Sequence, residues 1–436
     1  MNKYRTLIFC ILLIVLSLKG QINTYSPYSY FGVGELYNSS SVSNVAMGGF
    51  GLTTTGKYSI NNINPSSYSF LDLTCFELGF RSSFIDMSQG NLEQNNFVSG
   101  LFNLGLGFPI SNNVGFSIGL SPYSAVGYSV TSREFIHDDI GFADYNFSGS
   151  GGLNKILVGA GWEVVSANHI DISVGANLNY FFGGINEVNT VATDNSQIKF
   201  REEIESVVGD YNVEMGVLLN YWLSDYKFSI GATLTPEKSI ASRTNIFQHT
   251  YISSGDYESL IDTILYVPAN GNNDYITLPI DYSIGFSLES TSKWLIGLDY
   301  NFTNWESSFQ STSHMRNQHR FILGGQFIPK KDDIHNYFNR VEYKLGFSYA
   351  SGYLNLGSTA IESNFEDFTK QDAPLNDWSV SAGMSLPMNR VYSRAHIGLR
   401  YGYRGYPESG FITENYFTVY LSMTLNEKWF KKRKIE

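Results

Sequence analysis

The sequence predicts an all-β protein, a fourteen-stranded antiparallel transmembrane β-barrel with an N-terminal plug. Three observations predict this fold. The 436 residues include 30 Tyr, 31 Phe and 41 Gly but only 16% charged residues, whereas soluble proteins carry about 25%. From residue 74 onwards, short segments alternate between apolar and polar or small residues. The connections between these segments also alternate in length, as they do in outer-membrane barrels.

The first twenty residues read as a signal peptide, residues 1–20. Lys3 and Arg5 precede an apolar run from Leu7 to Leu18. This run is shorter than the roughly 20 residues that a membrane-spanning helix needs, so it favours export by a cleaved signal. Cleavage near Gly20 would leave Cys75 as the single cysteine, which we expect to be a small apolar residue that is either buried or faces lipid.

Residues 21–73 do not alternate and are rich in Ser, Asn, Gly and Tyr. A segment of this length must either hang in the periplasm or fold into the lumen. Eight strands enclose a space that side chains alone can fill, and fourteen strands enclose more. We therefore predict a plug over 21–73 and a barrel over 74–425.

Fourteen segments carry the strand pattern. In the fifth, Ile172 and Val174 share one face while Ser173 and Asn177 share the other. The predicted strands lie near 74–84, 97–110, 113–130, 143–165, 169–186, 203–222, 226–247, 276–291, 293–305, 315–328, 341–354, 376–387, 394–405 and 415–425.

Short turns are expected at 111–113, 166–168, 223–225 and 291–292, and long polar external loops around 85–96, 131–142, 187–202, 248–275 and 355–375. Outer-membrane barrels have short periplasmic turns and long external loops. The even strand count places both ends in the periplasm, including a basic tail over 426–436. The connection 330–340 breaks the rule, and we expect a short interfacial helix there.

Tryptophans support the same topology. Trp222 and Trp294 flank predicted short turns, and Trp305 and Trp378 lie at predicted outer strand ends. Aromatic girdles at both membrane interfaces have this distribution.

Ionisable residues fall on the predicted lumen face, where they avoid the cost of about 2–4 kcal/mol for Arg or Lys at the lipid midplane. They are Glu77, Arg81, Asp171, Glu214, Asp299, Arg320, Glu342, Lys344 and Arg400. One interpretation is an internal network that docks the plug. The alternative is that Arg320, Lys344 or Arg400 binds a ligand carboxylate.

The chain resembles the FadL family of outer-membrane transport proteins. The resemblance rests on Ala46-Met47-Gly48-Gly49, on Asn64-Pro65, on "LPIDYSIGFSLESTSKWLIGLDYNFTNW" at 278–305 and on "LGGQFIP" at 323–329. It implies a fourteen-stranded barrel whose N-terminal hatch contains Gly48, Gly49, Asn64 and Pro65. The stretches "SPYSYFGVGEL" at 26–36 and "NEKWFKKRK" at 426–434 indicate a divergent branch.

The resemblance also implies an inward kink in the third strand that opens the barrel wall. Pro122 lies in that strand between Gly119 and Gly127. Proline has no N–H to donate and glycine packs weakly, so the ladder should break there. The break is a lateral opening, a structural bulge, or the point where the outer end of the strand leaves the membrane.

Two functions follow from these features. The first is passive uptake of hydrophobic, fatty-acid-like molecules through the outer membrane, with lateral exit at the third strand. The alternative is a partner barrel of an outer-membrane secretion or assembly machine, such as type IX secretion, that binds outer-membrane lipid and a membrane or periplasmic protein. The net charge of −11 argues against nucleic acid. No catalytic motif is present, so we expect no enzyme activity, no cofactor and no metal site.

Overall fold

In the computed structural model, residues 24–37, 40–254, 257–269, 274–290, 293–308, 315–355, 373–388, 392–406 and 411–427 are described. They form a closed antiparallel β-barrel of fourteen strands, in which the last strand pairs with the first. The predicted fold class is therefore confirmed. The predicted signal peptide and most of the basic tail lie outside the described residues.

Some barrel strands are divided by short irregularities, so the segments are numbered individually. They are β1 Glu35–Leu36, β2 Thr74–Gln89, β3 Leu92–Ser111, β4 Val114–Pro122, β5 Ser124–His137, β6 Gly141–Ala167, β7 Ile170–Thr193, β8 Ile198–Leu223, β9 Tyr226–Thr235, β10 Lys238–Ser254, β11 Tyr257–Val267, β12 Asp274–Leu278, β13 Asp281–Ser290, β14 Trp294–Thr303, β15 Gln318–Phe327, β16 Glu342–Ala350, β17 Asn376–Pro387, β18 Arg394–Gly405 and β19 Thr413–Glu427. The third barrel strand comprises β4 and β5, the seventh comprises β9 and β10, and the eighth comprises β12 and β13.

Among the described residues, helical structure is confined to segments of four to six residues. They are the 3₁₀ turns Pro27–Tyr30, Pro65–Phe70 and Tyr337–Arg340 and the α-helical turns Val42–Val45 and Trp305–Ser308. No helix in the described part of the chain is long and apolar enough to cross a membrane.

The alternation read from the sequence sets the two faces of the wall. Along β16, Tyr343, Leu345 and Phe347 are exposed on the outside, while Lys344 is buried on the inside. Side chains of a strand point to opposite faces in turn, so one register fixes every position. The barrel therefore presents an apolar outer surface and a polar, glycine-rich inner surface.

Four of the five predicted external loops are largely strand, and most of the fifth, 355–375, lies outside the described residues. Residues 85–96, 131–142 and 187–202 are hairpins formed by β2–β3, β5–β6 and β7–β8, and β10 and β11 occupy much of 248–275. The strands β6, β7 and β8 contain 27, 24 and 26 residues, whereas about 9–11 cross a bilayer. Above the membrane neither face contacts lipid, so the apolar alternation that marks a strand is lost. The barrel also extends two residues beyond its predicted end, to Glu427.

Candidate functional site

The N-terminal segment, residues 24–73, packs against the inner face of the barrel. A ring of glycines, one on each of twelve barrel strands, makes room for it. A Cβ on Gly161 would lie 2.6 Å from the Pro65 oxygen, and one on Gly324 would lie 2.5 Å from Phe50 Cβ. Both distances are too short for any side chain. The ring consists of Gly107, Gly115, Gly161, Gly175, Gly216, Gly231, Gly285, Gly297, Gly324, Gly346, Gly383 and Gly398.

Polar contacts hold the same segment in place. The buried Asp299 carboxylate accepts hydrogen bonds from the backbone N–H groups of Gly51 at 2.8 Å and Leu52 at 3.0 Å. The amide of Asn64 donates to the Val217 carbonyl oxygen at 3.1 Å, while its side-chain oxygen accepts from the Ser66 N–H. Charged barrel residues thus satisfy the segment's backbone groups where water is excluded.

The residues predicted for the hatch lie at this contact. Gly48 and Gly49 have φ of +77° and +99°, which favour glycine. A Cβ on Gly48 would approach the Phe347 backbone to 3.0 Å. Pro65 begins a 3₁₀ turn whose backbone abuts Gly175, and Asn64 caps that turn. Their hatch role stays a prediction.

Two of the three predicted ligand cations already have protein partners. The Arg400 Nη2 group donates to the Gly48 carbonyl oxygen at 3.1 Å. The buried Lys344 ammonium lies 3.3 Å from Glu342 and also donates to Ser43 in the N-terminal segment. These contacts match the internal-network interpretation of the two residues.

The largest ion cluster centres on Arg404. Its guanidinium lies 2.8 Å from Glu35, 3.2 Å from Asp377 and 3.4 Å from Glu414. Burial raises the pKa of the Glu35 carboxyl, but Arg404 and a hydrogen bond from Thr24 lower it by more, so the pKa lies below its usual range. The sequence analysis missed this cluster, although Arg404 follows Arg400 by four residues and therefore shares its lumen face.

Arg320 occupies a different environment. It lines a lumen cavity of about 280 Å³ together with Lys155, Glu214, Asp281 and Asp377. Within the described residues, no carboxylate lies within 4 Å of its guanidinium. Charged groups of both signs therefore line this cavity beside apolar side chains such as Tyr123 and Phe181.

Twelve buried apolar residues form a core across the outer end of the lumen. Tyr28 and Val33 come from the N-terminal segment, and the others from the outer strand ends and external connections: Leu153, Phe181, Val208, Ile240, Leu278, Trp305, Met315, Leu354, Ala373 and Leu375. Trp305 is only 2% exposed, so its predicted place in the lipid girdle is wrong. It packs inward because the connection after β14 turns across the mouth.

The third strand leaves part of the wall unpaired. β4 pairs with β3 only along residues 104–111, and it ends at Pro122. β5 pairs with β6 and with the short β1 of the N-terminal segment. Among the described ladders, none joins 92–103 of β3 to β5.

Of the three residues predicted at this break, two lie next to it. Pro122 is the last residue of β4, and the Gly127 N–H on β5 donates to the Ser29 hydroxyl of the N-terminal segment at 3.0 Å. Gly119 lies in regular ladder, opposite Gly105 and Leu157.

Within the described residues, no group of three or more His, Cys, Asp or Glu could hold a metal. Cys75 is buried.

A family model described as BamG matches residues 1–436 of the chain. The chain belongs to the BamG family. A comparison with curated proteins finds no significant match.

The BamG chain shares its fold with several solved outer-membrane barrels. The Pseudomonas putida toluene transporter TodX is 15% identical, with a TM-score of 0.57 over 90% of this chain and 99% of that one. A Pseudomonas aeruginosa FadL homologue is 11% identical, with a TM-score of 0.54 over 90% of this chain and 99% of that one. The Ralstonia pickettii toluene transporter TbuX is 12% identical, with a TM-score of 0.52 over 90% of this chain and 98% of that one. The expected resemblance thus holds for the fold, and the low identities indicate a divergent branch.

Proposed function

We propose that this BamG-family barrel is a closed partner barrel, which binds other components of an outer-membrane secretion or assembly machine instead of conducting a small molecule. The occupied lumen is the observation that carries the proposal. The N-terminal segment fills the middle of the barrel on the glycine ring, and the apolar core covers the outer mouth. The cavity between them is lined by charged residues, among them Lys155, Glu214 and Asp281, and by apolar ones.

The energetics favour a permanently closed mouth. Exposing one large apolar side chain costs about 1.5–3 kcal/mol. Opening the core would expose several of its twelve residues at once. The free-energy cost would then be comparable to the free energy of unfolding of a typical domain, about 5–15 kcal/mol. A closed state of this kind suits a scaffold better than a pore.

The extracellular extension supports the partner role. The strand β11 pairs with the outer half of β10, more than ten residues beyond the segment β9 that crosses the membrane. Leu260, Ile264 and Tyr266 of β11 are 57%, 56% and 61% exposed. Large apolar side chains exposed outside the bilayer are a feature of protein interaction sites.

Native mass spectrometry of the full-length barrel, extracted gently from its own membrane, tests this proposal. We expect a stable stoichiometric complex with other proteins and no small ligand. A double substitution of Leu260 and Ile264 to Ser should dissociate the complex. Ser259→Ala, an exposed position of β11 itself, is the matched control. A free monomer that carries a lipid or fatty acid would overturn the proposal.

A second candidate is a channel for hydrophobic compounds, and the unpaired wall beside Pro122 favours it. A ligand would leave the lumen sideways between β3 and β5 once β1 withdrew from β5. Proteoliposomes that report influx of a fluorescent fatty acid, and separately of toluene, would distinguish the candidates. Influx that depends on the barrel and falls in Pro122→Val, which restores a backbone donor, would favour the channel. Equal leakage with and without the barrel would exclude it.

A further inference from the structure

The periplasmic connection between β15 and β16 differs from the other described periplasmic turns. It comprises residues 328–341, whereas 112–113, 168–169 and 224–225 are two-residue turns. It also presents bulky apolar side chains: Ile334 is 86% exposed and Phe338 is 67% exposed. We refer to it below as the long periplasmic turn.

The long periplasmic turn is internally braced. The Asp333 carboxylate accepts hydrogen bonds from the His335 N–H at 2.8 Å, the Asn336 N–H at 3.1 Å and the Asn339 amide at 2.7 Å. The Lys330 N–H donates to the Asn339 carbonyl oxygen at 2.8 Å. Since the backbone is held from within, Ile334 and Phe338 are displayed in a fixed arrangement. A flexible loop could fold these side chains away from water, and this one cannot.

Two tyrosines place the turn on the lipid-facing side of the periplasmic rim of the barrel. The Tyr343 side chain lies on the lipid-facing side of β16 with Leu345, and its hydroxyl donates to the Phe338 carbonyl oxygen at 3.2 Å. The Tyr337 hydroxyl donates to the Pro387 carbonyl oxygen at the end of β17, at 3.0 Å. The 3₁₀ turn therefore lies beside the lipid-facing surface, where the bilayer interface meets the strand ends.

The charges on the turn complement a phosphate-bearing surface. Lys330 and Lys331 are exposed, and the Arg340 guanidinium lies 5.4 Å from the centre of the Tyr337 ring. Asp333 is used by its internal hydrogen bonds, which leaves Asp332 as the exposed acid. Lysines beside apolar side chains suit the headgroup region, because the ammonium reaches phosphate while the stem stays in the apolar layer.

We infer that the long periplasmic turn is a lipid-binding anchor, which inserts Ile334 and Phe338 into the periplasmic leaflet while Lys330 and Lys331 contact lipid phosphates. Each element of the inference comes from the turn itself: a rigid apolar pair, its position on the lipid side of the rim, and flanking cations. The anchor operates equally in a partner barrel and in a channel, so it stands independently of the proposed function.

Site-specific fluorescence on the full barrel in nanodiscs tests the anchor. Single Ile334→Cys and Phe338→Cys variants are labelled with an environment-sensitive dye, in a background where the buried Cys75 is replaced by Ser. In discs of phosphatidylglycerol and phosphatidylcholine, we expect a blue-shifted emission that brominated phospholipid quenches and aqueous iodide does not. Leu345→Cys provides the lipid-exposed reference and Asp138→Cys the water-exposed one.

The matched control is Lys331→Cys in the same turn, which should report the headgroup region and be quenched by iodide. Solvent-like emission at positions 334 and 338 in the nanodisc would overturn the inference. Protection of these positions only after periplasmic extract is added would also overturn it, because a protein would then cover the turn. In discs of phosphatidylcholine alone we expect a smaller blue shift, and a barrel in which Lys330 and Lys331 are both Ser should show no difference between these neutral discs and the anionic ones.

Discussion

Arg400 on β18 donates a hydrogen bond from Nη2 to the carbonyl oxygen of Gly48 across 3.1 Å. This bond ties a barrel strand to a residue of the N-terminal segment held at positive φ, where the chain turns away from the wall. The arginine thereby satisfies a buried backbone carbonyl group. Of the two interpretations of Arg400, this contact matches the internal network that docks the N-terminal segment.

Replacing Arg400 with Met should loosen the N-terminal segment and leave the strands intact. The substitution keeps much of the volume and removes the donor, so the Gly48 carbonyl loses its partner at a cost of about 1–3 kcal/mol. Urea unfolding and limited proteolysis of the refolded barrel measure the change. Arg243→Met, at an exposed outward position of β10, should leave both unchanged. Equal protease resistance of the two variants would show that Arg400 does not hold the segment.

The glycine ring gives a second, steric prediction. A methyl group on Gly346 would overlap the Met47 backbone, whereas one on Gly325 would lie 3.5 Å from the Leu295 oxygen, an ordinary contact. Gly346→Ala should therefore destabilise the barrel by about 1–3 kcal/mol, as overpacking does, and expose residues 40–73 to protease. Gly325→Ala should behave as the parent protein. If both variants resist protease alike, the segment does not depend on the ring.

The strands were predictable because each has one face toward lipid and the other toward a polar lumen. Apolar and polar residues therefore alternate along the sequence with a period of two. The predicted ranges 376–387 and 394–405 match β17 and β18. Residue Leu260 illustrates the limit. Beyond the bilayer the constraint disappears, so β11 read as part of a polar loop.

The lumen was only partly predictable for a related reason. The alternation of side chains between the two faces of a strand fixes which residues point inward. It correctly identified Arg320, Lys344 and Arg400 as inward-facing. The alternation cannot show which of them meets the N-terminal segment, because that segment has no repeating pattern. Trp305 was predicted to lie in the aromatic girdle because it follows a predicted strand end. In the structure the backbone after β14 turns over the mouth of the barrel, so the side chain packs inward.

The cluster around Arg404 predicts a strong dependence on one cation. Removing its charge in Arg404→Met leaves Glu35, Asp377 and Glu414 close together and unneutralised, and loss of one partner of a buried ion pair costs about 3–5 kcal/mol. Chemical unfolding should show this loss. Adding Glu414→Gln should recover part of it, since one of three repelling carboxylates becomes neutral. Additive effects of the two substitutions would contradict the cluster as a coupled unit.

The long periplasmic turn should be sensitive to acid. Three hydrogen bonds lower the pKa of Asp333 from 3.8 to about 2, with the Asn339 amide contributing most. A carboxyl whose folded pKa is depressed stabilises the turn above its unfolded pKa and loses that contribution as the pH falls through the folded value. The turn should thus be fully ordered above about pH 4 and loosen as the pH falls toward 2. Fluorescence anisotropy of a dye at Ile334→Cys measures this order.

Asp333→Asn should show the loosened signal at every pH, and Asp332→Asn, its exposed neighbour, should follow the parent curve. A parent signal that stays constant from pH 6 to pH 2 would mean that Asp333 does not brace the turn.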